Sequence, residues 1–162
     1  MASGEPGVRP CALAGMTPAM SGYTLDDLPE WPVGTASVLA TVDAGGTPHA
    51  IPVSTARRAG PRRILFALGP KRGSHARLAA DARATIVILA AGVAISAEGT
   101  VRVVAAPLDP DGRVDAFELT VETIWNHNAP TFGMDEGVRW HWTDDGAKTG
   151  DAAVHAALAD LA

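Results

Sequence analysis

ASVLATVDAGGTPHAIPVST, residues 36–55, opens the stretch from Thr35 to Val104 that decides the fold. Its two apolar runs flank Asp43–Thr47, whose glycines tolerate the positive φ angles of a hairpin loop. A further apolar run, Ile64–Leu68, follows a second break at Ala59–Pro61. Short apolar runs separated by Gly- and Pro-containing breaks are typical of antiparallel strands.

The same pattern predicts the remaining elements. Strands are predicted at Ala36–Val42, Pro48–Thr55, Ile64–Leu68, Arg83–Leu89, Val93–Val104, Val121–Trp125 and Val138–Trp142. Helices are predicted at three places: a short one capped by Ser74, one at Val114–Leu119, and a C-terminal one capped by Asp151. Tight turns between strands favour a mainly β fold, a small antiparallel barrel with short helices, over a doubly wound sheet. Pro48 and Pro52 lack amide donors, which places their strand at an edge or beside a bulge.

Length and composition limit the domain organisation. The chain has 162 residues, enough for one domain. Residues 1–22 are rich in Gly, Pro and Ser and are predicted to be a flexible segment, and residues 23–162 a single barrel domain with a C-terminal helix. Charged residues make up only 19% of the chain, so a homodimer that buries apolar surface is expected.

Composition also argues against several classes of function. The net charge of −5 disfavours a nucleic-acid partner, which requires a basic surface. The single cysteine, Cys11, excludes an internal disulfide framework. No apolar run is long enough to span a membrane, and we expect a cytoplasmic protein that acts on a small molecule.

Residues with obvious catalytic or metal-binding chemistry form no convincing pattern. The five histidines lack metal-ligand spacing, so no metal site is predicted. There is no nucleophile elbow, and no catalytic residue can be named. The sequence leaves open the roles of Trp125, Trp140 and Trp142, as core, interface or ligand-facing side chains.

The loop Gly69–Ser74 has the composition of a phosphate site. Lys71 and Arg72 precede a predicted helix start at Ser74, where free amides and the helix dipole favour an anion. The alternative is a capped helix with exposed charges. Arginine pairs at 57–58 and 62–63 are similarly open to two interpretations, a solvated face or a contact with a phosphate or a partner carboxylate.

Taken in order, three segments carry a resemblance to a known family: His49–Ser54, Phe66–Leu68 followed by the basic loop, and Ser74–Ile86. Together they resemble the pyridoxamine 5′-phosphate oxidase-like, FMN-binding split-barrel family. The resemblance covers residues 31–104 and implies a split antiparallel β-barrel and a homodimer with flavin sites at the subunit interface.

The resemblance also implies which residues touch the cofactor. In the family, the strand matching His49–Ser54 lies along the isoalloxazine ring, the strand end matching Ala67–Leu68 touches it, and the next loop holds the phosphate. The implied cofactor-binding residues are His49, Ala50, Ile51, Pro52, Val53, Ser54, Ala67, Leu68, Lys71, Arg72 and Ser74.

This chain departs from the family pattern at several positions. Ser74 stands where the family has a lysine, Ala82 replaces the usual proline of Asp81-Ala82-Arg83, and Ala94 lies near the position of a flavin-facing glutamine. Arg139-Trp140 is only a loose counterpart of the Trp and Arg of true pyridoxamine phosphate oxidases. Pyridoxamine 5′-phosphate is therefore not the expected substrate.

The leading hypothesis is an FMN-dependent oxidoreductase that transfers hydride to or from an unidentified small molecule. A first alternative keeps the fold but binds a deazaflavin coenzyme, whose longer acidic tail would suit Arg57, Arg58, Lys71 and Arg72. A second alternative is a non-enzymatic carrier or sensor of flavin or haem, with His49 or His127 as candidate haem ligands.

Overall fold

The computed structural model describes residues 23–128 and 131–162, which form seven strands and two helices. In chain order these are β1 (Ser37–Val42), β2 (Pro48–Val53), β3 (Arg57–Gly60), β4 (Arg63–Leu68), α1 (Gly73–Ala80), β5 (Arg83–Ala90), β6 (Val93–Ala105), β7 (Asp115–Asn126) and α2 (Asp145–Asp160). The mainly β fold is as the sequence predicts. The predicted flexible segment, residues 1–22, lies outside the described residues.

All seven strands belong to one antiparallel sheet with the order β2-β1-β5-β6-β7-β4-β3. The two edges are therefore β2 and β3, which are joined directly by residues 54–56. Pro48 and Pro52 both lie in β2, which confirms that the prolines mark an edge strand. The outer edge of β2 leaves backbone groups free of sheet partners.

The sheet curls around one main core. Val53 near one edge and Ile64 and Phe66 near the other belong to the same buried cluster, so the two ends of the sheet face each other across it. Trp31 packs in this cluster, and its indole N–H donates to the Ala56 carbonyl at 3.2 Å. The sheet therefore forms a barrel that is split between β2 and β3.

A second, smaller core lies on the other face of β4 and β7. It contains Leu65, Ala67, Ala116 and Leu158, the last of which belongs to α2. Because α2 covers this face, β4 is apolar on both sides and is buried continuously from Ile64 to Leu68. This packing places α2 beside the end of β4.

Two predicted elements are wrong. Val114–Leu119, predicted as a helix, is instead the start of β7, and its lack of clean alternation arises because Phe117 faces the main core while Ala116 faces the second core. Val138–Trp142, predicted as a strand, forms no strand in the structure. Its three large apolar side chains, Val138, Trp140 and Trp142, are exposed.

Two predicted helix caps are also wrong. Helix α1 is preceded by Arg72 and begins at Gly73, so Ser74 lies within its first turn; its side chain is buried, and its hydroxyl accepts from Nη2 of Arg77 at 3.2 Å. Helix α2 begins earlier than predicted. Its N-cap is Asp144, whose side chain accepts from the Ala147 amide at 2.7 Å, and Asp151 lies inside the helix.

Candidate functional site

A cavity of about 820 Å³ lies beside the split in the barrel. Its walls are β2 with the following residues 54–55, the end of β4 with the loop after it, the turn at 109–114, and α2 with Trp142 before it. The volume falls in the range of small-molecule and cofactor pockets, about 300–1,000 Å³.

Most residues that the family resemblance implies as cofactor contacts come together in this cavity. Those that line it are Ile51, Pro52, Val53, Ser54, Ala67, Leu68 and Arg72. The others, His49, Ala50, Lys71 and Ser74, are not among the lining residues. The loop thus brings Arg72 to the cavity, while its neighbour Lys71 is exposed outside the lining.

A buried threonine joins the segment after β2 to β4. The Thr55 hydroxyl donates to the Ala67 carbonyl at 3.3 Å and accepts from the Ala67 amide at 3.0 Å. These two bonds hold the segment that follows β2 against β4, where both line the cavity. The apolar side chains of this wall and the unpaired backbone groups of the β2 edge form a surface suited to a planar ring.

Two guanidinium groups reach the cavity. The Arg72 side chain has no hydrogen-bond or ion-pair partner within the described residues. Arg113 pairs with Asp111 at 2.5 Å, and its Nη1 lies 4.0 Å from where a Cβ on Gly150 would stand. Arg72 is therefore the cation at this site that remains available to a ligand.

Four carboxylates also line the cavity, and their negative charge restricts where an anion can bind. Asp109 accepts from the amides of Arg113 and Val114 at 2.9 and 3.0 Å, Asp111 pairs with Arg113, and Asp144 caps α2. Asp151 lies 3.5 Å from the Ser54 hydroxyl. Because carboxylates repel an anion, the part of the cavity near Arg72 and Arg113 is the part suited to one.

The helix that follows the basic loop is tied to the sheet. Nε2 of His75 lies 2.8 Å from Oδ2 of Asp115, the first residue of β7, and the imidazole packs edge-on against Phe117. Since Asp115 pairs with Leu68 across the sheet, this contact fixes the start of α1 close to the end of β4. The position of Arg72 is set by the same contact.

Trp142 stands at the mouth of the cavity. Its ring packs edge-to-face against Trp140 with 5.3 Å between centroids, and Trp140 donates its indole N–H to the Gly34 carbonyl at 2.8 Å. Trp142 remains 42% exposed although it lines the cavity. An exposed aromatic face at a pocket mouth can pack on a planar ligand.

The candidate haem ligands lie elsewhere. His49 contacts Asp43 at 3.3 Å, His127 contacts the Ser96 hydroxyl at 2.7 Å, and neither lines the cavity. Among the described residues, no group of three or more His, Cys, Asp or Glu side chains is placed to hold a metal ion.

The strongest charge perturbations lie outside the cavity. Burial, the largest influence, raises the pKa of Glu118, but hydrogen bonds from Arg63 and Arg102 together outweigh it and hold that pKa below its ordinary value. Hydrogen bonds from Arg83 lower the pKa of Asp81 to about 2. Glu118 joins β4, β6 and β7, so these pairs serve the sheet and not a ligand.

The sequence does not indicate Arg113 or the α2 wall, and it leaves open whether Trp142, which lines the cavity in the structure, faces a ligand. Arg113 lies in a Pro- and Asp-rich turn far along the chain from the basic loop, and only the pairing of β7 with β4 brings it there. In α2, the cavity face consists of Gly146, Ala147, Gly150 and Ala153 with Asp151 and Val154. The i, i+4, i+7 recurrence of small residues was the one signal available.

Comparison with known proteins identifies the family. The pyridoxamine 5′-phosphate oxidase family model matches residues 34–128, and the chain belongs to that family. A search of curated proteins finds no match.

Solved structures support the fold. A proposed pyridoxamine 5′-phosphate oxidase from Lactobacillus delbrueckii is 18% identical, with a TM-score of 0.54 over 64% of this chain and 98% of that one. The HupZ protein of group A Streptococcus is 16% identical, with a TM-score of 0.52 over 64% of this chain and 90% of that one. These likenesses identify the split-barrel architecture, as the sequence predicts.

Within the described residues, no helix is both long and apolar enough to cross a membrane.

Proposed function

We propose that this protein is an FMN-binding oxidoreductase that transfers hydride to or from a small molecule. One observation carries the proposal. Seven of the residues implied as cofactor contacts by resemblance line a single cavity of cofactor size, beside the split of a family barrel. Those seven come from β2 and the residue after it, from β4, and from the loop before α1, which are separate in the sequence.

The chain's own residues would divide the work. Ile51–Ser54 and Ala67–Leu68 would support the isoalloxazine ring, with the free backbone of the β2 edge available for its polar rim. Arg72, assisted by Arg113, would hold the phosphate. Bound flavin supplies the hydride chemistry, which is consistent with a site that offers positioning groups and no evident acid–base pair.

The phosphate assignment depends most on Arg72. Arg113 is already paired with Asp111, and the other nearby carboxylates would repel a phosphate. Lys71 and Ser74, implied by resemblance, are proposed to contribute less, since Lys71 is outside the cavity lining and the Ser74 hydroxyl is bonded to Arg77.

The residues that would bind a deazaflavin tail or haem are poorly placed to do so, which favours FMN. Arg57 donates to the His155 carbonyl at 3.0 Å, and Arg58 pairs with Glu30 at 2.9 Å, so these two arginines are occupied and outside the cavity lining. A long acidic deazaflavin tail would therefore have fewer cations than the sequence suggests. Haem would have neither His49 nor His127 within the cavity lining.

We also propose a homodimer. Val38 on β1 and Val103 on β6 leave 36% and 48% of their surface exposed on the sheet. Burial of such surface in a partner subunit would account for the low fraction of charged residues.

The test is retention of a cofactor. Purified protein, stripped of any bound chromophore, is mixed separately with FMN, a deazaflavin and haem and passed through gel filtration with full-spectrum detection. We expect the absorption bands of flavin to elute with the protein peak in the FMN sample. Elution of all the FMN at small-molecule volume would exclude it, and retention of haem or deazaflavin alone would replace it with that alternative.

A second measurement separates enzyme from carrier. The bound flavin is reduced without oxygen and then offered small-molecule acceptors such as quinones and nitroaromatic compounds. An oxidoreductase should pass its electrons to at least one of them faster than free reduced FMN does. Reoxidation only by oxygen, at the rate of free FMN, would indicate a carrier.

A further inference from the structure

Helix α2 forms one wall of the cavity but is attached to the barrel by few contacts. It contributes six of the residues that line the cavity, all on one face. In the part of the chain that the structure describes, Leu158 is the only fully buried side chain of the helix. Displacement of α2 would therefore expose the cavity along its length while breaking little of the main core, which contains no α2 residue.

The polar contacts between α2 and the barrel are poorly satisfied. Arg57 donates through Nη1 to the His155 carbonyl at 3.0 Å, but its buried Nε has no hydrogen-bond partner within the described residues. Both ring nitrogens of His155 are likewise buried without such a partner, the Asp151 carboxylate being 3.6 Å from Nε2. The Ser54–Asp151 contact is also long, at 3.5 Å. Buried polar groups without partners disfavour the closed arrangement relative to an open one in which water reaches them.

The chain before α2 provides a hinge. The segment from residue 131 onward is held to the barrel at Met134, whose carbonyl accepts from Gly92, and at Trp140, which donates to the Gly34 carbonyl. Beyond these anchors, residues 141–145 are exposed. A hinge needs only a few residues at the end of an element that can change their backbone angles.

We propose that α2 is a lid that swings about residues 141–145 to admit a ligand to the cavity and closes behind it. The identity of the ligand as FMN rests on the proposed function, whereas the opening of α2 does not. Local opening below the free energy of global unfolding is common for elements that cover binding sites.

Hydrogen exchange tests the lid. Exchange of the backbone amides is followed by mass spectrometry in peptides from α2 and from β5–β6, without ligand and at several sub-denaturing urea concentrations. If α2 is a lid, we expect its backbone amides to exchange at least tenfold faster than those of β5–β6, with little dependence on urea. Exchange of α2 at the rate of β5–β6 and with the same urea dependence would mean that α2 opens only by global unfolding, and would overturn the proposal.

A matched pair of arginine variants tests the contact that holds the lid. Arg57 and Arg62 both donate to a main-chain carbonyl, but Arg57 bonds α2 and Arg62 bonds Glu122 on β7 at 3.1 Å. We expect Arg57→Ala to speed α2 exchange several-fold and Arg62→Ala to leave it unchanged. Equal effects of the two variants on α2 would contradict the proposal.

Added FMN separates the failure of the lid from that of the proposed function. If FMN binds, saturating FMN should slow α2 exchange at least tenfold, and Arg57→Ala should speed FMN release. Binding that leaves α2 exchange unchanged would overturn the lid. If FMN does not bind, the flavin assignment fails, while the exchange of ligand-free α2 and the two arginine variants still decide whether α2 opens.

Discussion

Removal of the Arg72 side chain should weaken FMN binding selectively. Arg72 lines the cavity and has no partner within the described residues, so its guanidinium is available to the phosphate. A hydrogen bond to a charged group contributes about 1.5–3 kcal/mol. Because Arg72 is exposed and water competes for it, we expect the lower end, about 1.5 kcal/mol, for Arg72→Ala. That corresponds to roughly a tenfold rise in Kd.

The assay is a titration of flavin fluorescence with ligand-free protein, performed with FMN and with riboflavin, which lacks the phosphate. Arg72→Ala should lower the preference for FMN over riboflavin about tenfold and leave riboflavin affinity unchanged. Lys71→Ala removes the adjacent charge outside the cavity lining and serves as the matched control, with an expected change below about twofold. The loss should diminish as salt is raised, because exposed charges are screened.

Two results would contradict the assignment of Arg72 to the phosphate. Equal losses for FMN and riboflavin in Arg72→Ala would show that the side chain supports the pocket and does not bind phosphate. A loss in Lys71→Ala as large as in Arg72→Ala would show that the loop attracts the cofactor through its general charge, without the specific placement of Arg72 in the cavity.

Three further predictions concern the scaffold. Glu118→Gln should lower the free energy of unfolding by about 1.5–3 kcal/mol at pH 7, measured by urea denaturation. The pKa of Glu118 is held below its ordinary value in the folded state, so this contribution is present above the unfolded pKa of about 4.3 and is lost as pH falls through the folded pKa; a difference that does not shrink as the pH is lowered below the unfolded pKa would contradict it. Gly99→Ala should lower the thermal midpoint of unfolding strongly, because a Cβ there would overlap the Thr120 carbonyl oxygen. Gly133→Ala is the control, since a Cβ there would have no atom within 4 Å. Similar midpoints for the two variants would argue against the close approach of β6 and β7. Light scattering at micromolar concentration should give the mass of a dimer, about twice 16.6 kDa, and a monomeric mass would count against an interfacial site.

The sequence predicts well the strands whose apolar residues are buried, on one face as in β1 or on both as in β4. Alternation in Ala36–Val42 predicts β1, in which Leu39 is fully buried. The uninterrupted apolar run Arg83–Leu89 predicts β5, in which Ile86 and Ile88 are fully buried, and both predictions lie within a residue of the observed bounds. Arg57–Gly60 was missed as a strand because its side chains are charged or small and all half-buried at a sheet edge. Propensity carries little information at such a position.

The elements that sequence analysis placed wrongly depend on distant contacts. Alternation at Val138–Trp142 resembles a strand, but no strand edge of the sheet is paired with it, and Trp140 instead reaches Gly34 by a side-chain bond. Asp144 and Asp151 both have the composition of a helix cap, and nothing local distinguishes them.

Some residues of the candidate site can be predicted from the sequence, and others depend on contacts between distant parts of the chain. Ile51–Ser54, Ala67–Leu68 and Arg72 could be named because the family motif is contiguous with them. The helical pattern predicts a C-terminal helix, but Arg113 and α2 reach the cavity only through the pairing of β7 with β4 and the packing of Leu158, which the local sequence does not specify.

The most direct test of the central claim is the location of bound flavin. Amide ¹H–¹⁵N spectra of the protein are recorded with increasing FMN, and the shifts are assigned to residues. We expect the largest changes on Ile51–Ser54, Ala67–Gly69 and Arg72, with changes in α2. Changes confined to the separate groove near Arg83 and Glu98, or none at saturating FMN, would contradict it.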